Sequence, residues 1–196
     1  MRTIRFITTA ATATAAALIV TGCSASDNPQ DGQTASSSQT AADFNQADVT
    51  YAQGMTMHHQ QAVEMSDIVL DKSGVDPEVT QLAKDIKKAQ GPEITTMQGW
   101  LDDWGQGSMD HESMNGMDGM DGMVSAEDIT ALKQADGPAA STLFLTQMIE
   151  HHEGAVAMAQ QHRKDGKNPE ALKLSSTVIT DQKAEITKMR TMRSGL

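Results

Sequence analysis

The 196-residue sequence has little cysteine, few aromatic residues, a deficit of positive charge and no long apolar run. Its single cysteine excludes an internal disulfide and a cysteine-based zinc site. Aromatic residues make up 3% of the chain against 14 methionines, so the core must be built from aliphatic side chains and thioethers. The 15 basic residues are outnumbered by 26 acidic ones, which gives a formal net charge of −11. Because there is no basic stripe, we predict that nucleic acid is not a partner.

The first 22 residues are interpreted as a secretory signal peptide. A basic start at residues 1–5 precedes an uncharged stretch from Phe6 to Val20, and Gly22 comes directly before Cys23. This arrangement is typical of a bacterial lipoprotein, in which the cysteine is lipidated and becomes the mature N-terminus. The apolar run is shorter than the ~20 residues that span a bilayer. We predict a lipid anchor on the outer face of the plasma membrane, or a periplasmic or outer-membrane location in a Gram-negative cell. An ordinary signal peptide and an uncleaved anchor are the alternatives.

Beyond the signal peptide the sequence divides into a tether and one domain. Residues 23–42 are mostly Ser, Thr, Gln, Asp and Ala, and such a segment buries too little apolar surface to order itself. We therefore predict a disordered tether that begins at the lipidated cysteine. Residues 43–196 form the predicted domain, which contains repeat 1 at about 44–104, a methionine-rich loop at 105–124 and repeat 2 at about 138–193.

The domain contains an internal duplication. Met55–Met65 matches Met148–Met158 at a constant offset of 93 residues, and each segment begins with Met-x-x-His-His. The residues that follow Asp76 match those that follow Asn168 at an offset of 92. Two segments that align in one register with a single-residue gap are a strong signal of duplication. Each unit is too small to be stable on its own. We expect the two units to pack together.

Each repeat is predicted to form a helical hairpin. Apolar residues recur at three- and four-residue spacing over Phe44–Lys72 and again over Pro138–Lys164. The second helix of each repeat begins after an N-cap followed by proline, at Asp76 and at Asn168. A capping-box pattern predicts one short extra helix, Ala126–Gln134. Two hairpins predict an all-α fold, specifically a four-helix bundle that is ferritin-like or related, with the methionine-rich loop as its connection.

Histidine and methionine share one face of the first helix in each repeat. With about 100° of rotation per residue, Met55 and Met65 fall within about 60° of His58, and His59 lies at the edge of that face. The predicted metal ligands are Met55, His58, His59, Met65, Met148, His151, His152, Met158 and His162. The residues expected to support them from the second helices are Gln90, Glu93, Met97, Gln182, Glu185 and Met189. The alternative is a purely structural face, since methionine fills gaps in cores well and a histidine pair can simply pack.

The connecting loop is the second candidate metal site. Its candidate ligands are Met109, His111, Met114, Met117, Met120 and Met123. Gly and Asp separate the last four methionines, which recur at every third residue, so this segment is not a packed core helix. Thioethers are soft ligands that suit Cu(I), and they form no disulfide in an oxidising compartment. The aspartates do not follow the spacing of an EF-hand calcium loop. The alternative is a low-complexity Asp-Gly linker.

The motif pattern resembles a known bacterial family. Both repeats contain Met-x-x-His-His-x-x-Ala-x-x-Met followed by Gln-x-x-Glu-Ile-x-x-Met, over about Phe44–Met192. This arrangement is similar to the family called domain of unknown function three-zero-five, which includes periplasmic copper-binding proteins of the CopM type. The resemblance implies a helical bundle and copper or silver binding. It points to the His-His pairs and flanking methionines of both repeats as ligands, while the Met-Asp-Gly loop departs from a compact member.

Taken together, these features predict an extracytoplasmic, membrane-anchored copper-binding protein that sequesters or passes Cu(I), and Ag(I) as a further ion. Cu(II) could use the histidine pairs with carboxylates. The chemistry is ligand exchange, so we do not expect an enzyme; a copper-transfer partner and a homodimer are left open. The first alternative is a structural or interaction lipoprotein that binds no metal. A ferritin-like di-iron oxidase ranks below it, because its Glu-x-x-His motif occurs nowhere in the sequence.

Overall fold

Capping side chains set the start of each helix. The computed structural model describes residues 43–107 and 122–196, which contain five helices and no strand. The helices are α1 (Gln46–Leu70), α2 (Pro77–Asp103), α3 (Ala126–Gln134), α4 (Gly137–Asp165) and α5 (Pro169–Arg193). Their N-caps are Asn45, Asp76, Ser125, Asp136 and Asn168. Each cap accepts a hydrogen bond from a backbone N–H that would otherwise have no partner in the first turn. The prediction of an all-α fold is confirmed.

The long helices form two hairpins. α1 and α2 pack along their length, as do α4 and α5, whereas α2 and α5 meet at only a few residues. Gly74 turns the chain between α1 and α2 at a φ of 78°, a left-handed conformation that favours glycine. The two hairpins join through α1 and α4, which therefore lie at the centre of the arrangement and carry α2 and α5 on their flanks.

α1 and α4 run antiparallel to each other. Near the start of α1, Tyr51 stacks on His162, close to the end of α4, with ring centroids 4.1 Å apart. At the opposite end, the turn at Gly74 lies against Gly137, the first residue of α4. The midpoints of the two helices consequently cross near His58 and His151, whose ring centroids are 3.7 Å apart.

The core consists mainly of aliphatic residues and methionines, arranged in two clusters. Each cluster contains three methionines that are related by the duplication and come from both hairpins, and Met192 also packs against the first cluster. The first methionine trio is Met65, Met148 and Met189, which are all fully buried. The second methionine trio is Met55, Met97 and Met158, of which Met158 is half-buried and packs against the cluster from its edge. The duplication maps one trio onto the other, because 55, 65 and 97 correspond to 148, 158 and 189.

No helix in the described part of the chain is long and apolar enough to cross a membrane. The predicted signal peptide, lipidated Cys23 and tether lie outside the described residues, as do residues 108–121 of the methionine-rich loop.

Candidate metal site

Four buried histidines lie where the two hairpins meet. His58 and His59 on α1 and His151 and His152 on α4 are each no more than 1% exposed. His58 and His151 face each other across the interface, with their rings tilted by 39°. The ring of His151 lies 6.2 Å from that of His152. The structure therefore brings one histidine of each His-His pair into contact across the interface.

Each pair has one histidine held by a carboxylate from the second helix of its own hairpin. His59 Nε2 lies 2.8 Å from Glu93 Oε2, and His152 Nε2 lies 2.8 Å from Glu185 Oε2. The carboxylates are 21% and 24% exposed, whereas the rings are fully buried. If Nε2 carries the proton and donates to the carboxylate, Nδ1 keeps its lone pair. This is how proteins orient a metal-ligating histidine.

In the rings of His59 and His152, one nitrogen has no hydrogen-bond partner among the described residues. Nδ1 of His59 and Nδ1 of His152 are buried and make no hydrogen bond within residues 43–107 and 122–196. The same is true of both amide atoms of Gln90. Leaving one buried polar atom unsatisfied costs about 1–3 kcal/mol, so a cluster of them calls for a ligand.

His151 is held in its neutral form. Burial lowers the pKa of its imidazole well below the usual value of 6.5, and the neighbouring His58, His152 and His59 lower it further. A neutral imidazole keeps the lone pair that a metal ion requires. The environment of His151 therefore disfavours protonation, the state that would compete with a metal ion.

Thioethers supply the other donors near the histidines. Along α1, Met55 precedes His58 by three residues and Met65 follows it by seven, and Met148 and Met158 flank His151 in the same way on α4. In the described residues, no three His, Cys, Asp or Glu side chains converge on one point as metal ligands. Imidazole nitrogen and thioether sulfur, which occur together along α1 and α4, are a combination of donors suited to a soft cation.

His162 lies apart from the histidine cluster. It follows His151 by eleven residues, which is about 16 Å along a helix. Its Nδ1 lies 2.6 Å from Ser175 Oγ and its Nε2 lies 2.9 Å from Asp48 Oδ1. Because both ring nitrogens already have partners, the structure does not bring His162 together with the other predicted ligands, and we leave it out of the proposed set.

The remaining predicted residues divide between the described and undescribed parts of the chain. Gln90, Met97, Gln182 and Met189 are buried on α2 and α5, and Glu93 and Glu185 contact the histidines as described above. Met123 is half-buried just before α3. The other predicted loop ligands lie outside the described residues: Met109, His111, Met114, Met117 and Met120.

Sequence reasoning missed a buried polar network at one end of α1. Asp48 is fully buried and accepts hydrogen bonds from His162 and from the backbone N–H groups of Lys167 and Asn168. It also closes the capping box with Asn45. The Asn-x-x-Asp pattern could have revealed the cap, but its contacts with α4 and α5 join residues more than a hundred positions apart.

Comparison with known proteins gives both a family and structural relatives. The family model described as domain of unknown function (DUF305) matches residues 48–193. A candidate secreted DUF305 protein from Streptomyces coelicolor is 36% identical with a TM-score of 0.66, covering 74% of this chain and 91% of its own. A DUF305 fragment from Deinococcus radiodurans is 30% identical with a TM-score of 0.68, covering 78% and 98%.

CopM is a further structural relative. Its Cu(I)-bound form is 31% identical to this chain with a TM-score of 0.61, over 76% of this chain and 96% of CopM. CopM has also been solved in Cu(II)-bound and Ag-bound forms, at 30% identity. Among curated proteins, none matches this sequence.

Proposed function

Because the chain belongs to the DUF305 family, we propose that it is an extracytoplasmic copper-binding protein that holds Cu(I), and Ag(I), between its two hairpins. The observation that carries the proposal is the pair of buried histidines, His59 and His152, each oriented by a carboxylate and each presenting a bare Nδ1. The solved Cu(I)-, Cu(II)- and Ag-bound forms of CopM, at about 30% identity, support it.

The proposed ligands are the four clustered histidines and the two methionine trios. Cu(I) favours few, soft ligands, and thioethers carry no proton that must be lost on binding. The duplication places one trio on each side of the crossing point of α1 and α4, so each trio can combine with imidazole nitrogens from that crossing. Cu(II) would rely more on the imidazoles and on Glu93 and Glu185, because it prefers nitrogen and oxygen donors.

The proposed action is capture and release of a metal ion. Copper would move between donors by ligand exchange, and no covalent bond of a substrate would be made or broken. The protein would sequester Cu(I) or pass it to a copper-transfer partner, as a monomer or a homodimer. The net charge of −11 supports this role, since an acidic surface raises the local concentration of cations modestly.

We further propose that the protein is a lipoprotein of the cell envelope. The basic start, the apolar stretch and Gly22-Cys23 support removal of residues 1–22 and lipidation of Cys23. Acyl chains on that cysteine would anchor the chain, since each buried CH2 adds about 0.8 kcal/mol. Residues 23–42 would then act as a tether to the domain.

For the methionine-rich loop, we propose a separate Cu(I)-collecting role. Its candidate ligands are Met109, His111, Met114, Met117, Met120 and Met123. For the fold, we propose that the two hairpins make up a four-helix bundle, supported by the core that α1 and α4 share.

The experiment compares copper loading of two matched variants. His59→Gln combined with His152→Gln keeps a polar side chain that can contact Glu93 and Glu185 but removes both bare nitrogens. We expect Cu(I) affinity to fall by about 100-fold or more, since even outer-shell changes at metal sites cost about 10–100-fold. His162→Gln is the control and should keep the wild-type affinity. The measurement is anaerobic titration with Cu(I) against a competing chromogenic chelator.

Two results would count against the site. If the double variant and the wild type bind the same number of copper ions with the same affinity, the histidine cluster is structural and the alternative of a scaffold lipoprotein gains. If only deletion of residues 109–123 abolishes binding, the loop rather than the bundle is the metal site.

A further inference from the structure

The two halves of the groove between α1 and α4 are related by the duplication, but within residues 43–107 and 122–196 only one of them is covered. Over the first half lie α3 and the segment before it. Gln61 makes two hydrogen bonds to the backbone of Val124, at 2.9 and 2.8 Å, and Gln147 bonds to the carbonyl of Asp128 at 3.0 Å. Lys133 of α3 reaches Glu64 of α1 at 3.0 Å.

This covering seals the first methionine trio. Ile129 and Leu132 of α3 are buried in the same core cluster as Met65, which is fully buried. α3 belongs to neither repeat, and no described helix is equivalent to it on the other half of the groove. In the part of the chain that the structure describes, the duplicated face that α3 covers at one end therefore has no equivalent cover at the other end.

The uncovered half forms a cavity of about 570 Å³. From α1 it is lined by Ala47, Thr50 and Tyr51, and from α4 by Ala157 and Met158. Met158 is the counterpart of Met65 in the duplication. Unlike Met65 it is only half-buried, so it faces the cavity and also packs against the core cluster that contains Met55 and Met97.

We propose that Cu(I) reaches and leaves the buried site through this open half of the groove, with Met158 as the first and last protein ligand on the route. This inference rests on the proposed function. A soft cation moves most readily when a new donor binds before the old one leaves. Within the second trio, Met158 is the half-buried residue, so its thioether can take Cu(I) from a ligand in solvent while the side chain packs against the cluster that contains Met55 and Met97.

The neighbouring surface provides a route to the same opening. A second cavity of about 460 Å³ adjoins the first, and Ala157 lines both. It is also lined by Met123, the last of the regularly spaced methionines, and by the carboxylate residues Glu150 and Glu153. The opening is thus flanked by a further thioether and by the negative charge of Glu150, which attracts cations, whereas Glu153 is paired with Arg190.

The first test blocks the opening without removing a ligand. Ala157→Trp puts a large side chain at the junction of the two cavities, and Ala89→Trp, on an exposed position of α2, is the matched control. We expect Ala157→Trp to slow both uptake and release of Cu(I) by about tenfold, with an unchanged Kd, because it raises the barrier and not the binding energy. Ala89→Trp should change neither rate. Stopped-flow exchange of Cu(I) with a chromogenic chelator measures both rates.

The second test compares the two equivalent methionines. Met158→Leu and Met65→Leu each remove one thioether from one trio at nearly constant volume. If Met158 is the first ligand on the route, Met158→Leu slows uptake about tenfold more than Met65→Leu does, while the two variants have similar effects on Kd. This comparison also decides the matter if Ala157→Trp fails to fold, as judged by its circular dichroism.

Equal uptake rates for Ala157→Trp and wild type would overturn the route, as would equal kinetic effects of the two leucine variants. A wild-type chain that takes up Cu(I) at the loop alone, with the histidine cluster empty, would overturn the bundle site itself and the route with it. If the variants show normal equilibrium binding and unaltered kinetics, the proposed function is retained and only the proposed route is overturned.

Discussion

Asp48 links three helices through one buried carboxylate. It accepts a hydrogen bond from the backbone of Asn45 at 2.7 Å, and others from the backbone of Lys167 and Asn168 and from the His162 ring. Burial by itself would raise the pKa of Asp48, but these hydrogen bonds outweigh it and hold the pKa below its usual range. The carboxylate is therefore charged in the folded state, and its donors depend on that charge.

Replacing Asp48 by Asn should destabilise the domain by about 2–4 kcal/mol, because an amide removes the charge and puts an N–H donor in place of one of the two oxygens that accept from backbone N–H groups. Asp181→Asn, at an exposed position of α5, is the control and should change stability by less than about 0.5 kcal/mol. Urea unfolding at neutral pH measures both differences.

The effect of Asp48→Asn should also depend on pH. A carboxyl whose pKa is lower in the folded than in the unfolded state stabilises fully above its unfolded pKa of about 3.9, and that contribution is lost as the pH falls through the folded pKa. The difference between wild type and variant should shrink progressively below about pH 4. A difference that stays constant with pH would show that the charge of Asp48 is unimportant.

The contrast between Asp48 and the histidine pairs shows which individual residues can be predicted from the sequence. His58, His59 and their counterparts were found because a repeated motif marks one helix face. Asp48 stands alone in its repeat, where its counterpart by the offset of 93 is Ser141. Its partners in α4 and α5 are brought to it only by tertiary packing, so no local pattern could have identified them.

At the scale of the helices, the turn of each hairpin is stabilised by a side chain of the other hairpin, which is a serine in one case and an aspartate in the other. Ser141 Oγ on α4 accepts from the backbone N–H of Asp76, the N-cap of α2, at 2.9 Å. Asp48 on α1 accepts from the backbone N–H of Asn168, the N-cap of α5. In each case the first helix of one hairpin caps the second helix of the other, so the two hairpins stabilise each other's turns.

The contact between the turn before α2 and the start of α4 leaves no room for a side chain. A Cβ on Gly137 would lie 2.3 Å from the carbonyl carbon of Gly74 and 2.3 Å from the carbonyl oxygen of Ser73. Gly137→Ala should therefore destabilise the domain by about 2–4 kcal/mol, since backbone on both sides must shift. Thermal or urea unfolding measures the loss.

Gly99 provides the matched control for this prediction. It also lies in a helix, but a Cβ there would meet nothing within 4 Å. Gly99→Ala should stabilise the domain by up to about 1 kcal/mol, because alanine favours the helical backbone. If both alanine variants behave alike, the close approach of Gly137 to the turn is not a constraint.

Helix positions were largely predictable, whereas helix packing was not. The short helix Ala126–Gln134 has the predicted bounds. The bounds of α1 and α4 lie within about two residues of the predicted ones, and capping residues and prolines mark the starts of α2 and α5. The role of α3 as a cover over one half of the groove was not predicted. That role depends on where Ile129 and Leu132 are buried, and their own helical periodicity does not specify their partner.

For the whole molecule, duplication supplies a nearly symmetric core and the inserted segment makes it asymmetric. Both methionine trios and both His–Glu contacts repeat across the crossing of α1 and α4. Only one trio is covered by α3. A duplicated hairpin can therefore provide two equivalent sets of donors, while a nine-residue helix outside the repeats covers only one of them and Met158 of the other set stays half-buried.

Because thioethers and imidazoles are buried together in the core, a bound soft cation should stabilise the whole domain against unfolding. An ion that binds only the folded state raises its stability by RT ln(1 + [ion]/Kd). At a free Ag(I) concentration about 100 times the Kd, the Tm of the full domain should therefore rise by about 5–10 °C. Zn(II) at the same concentration should raise it much less, since Zn(II) prefers nitrogen, oxygen and thiolate ligands and gains little from thioethers.

Differential scanning calorimetry with each ion in turn checks this expectation, and Ag(I) is used because it needs no reductant. The control is the variant carrying His59→Gln and His152→Gln, whose Tm should respond to Ag(I) far less than that of the wild type. A rise as large with Zn(II) as with Ag(I) would contradict the selectivity for soft ions. An Ag(I) response that persists undiminished in the double variant would place the stabilising site away from the crossing of α1 and α4.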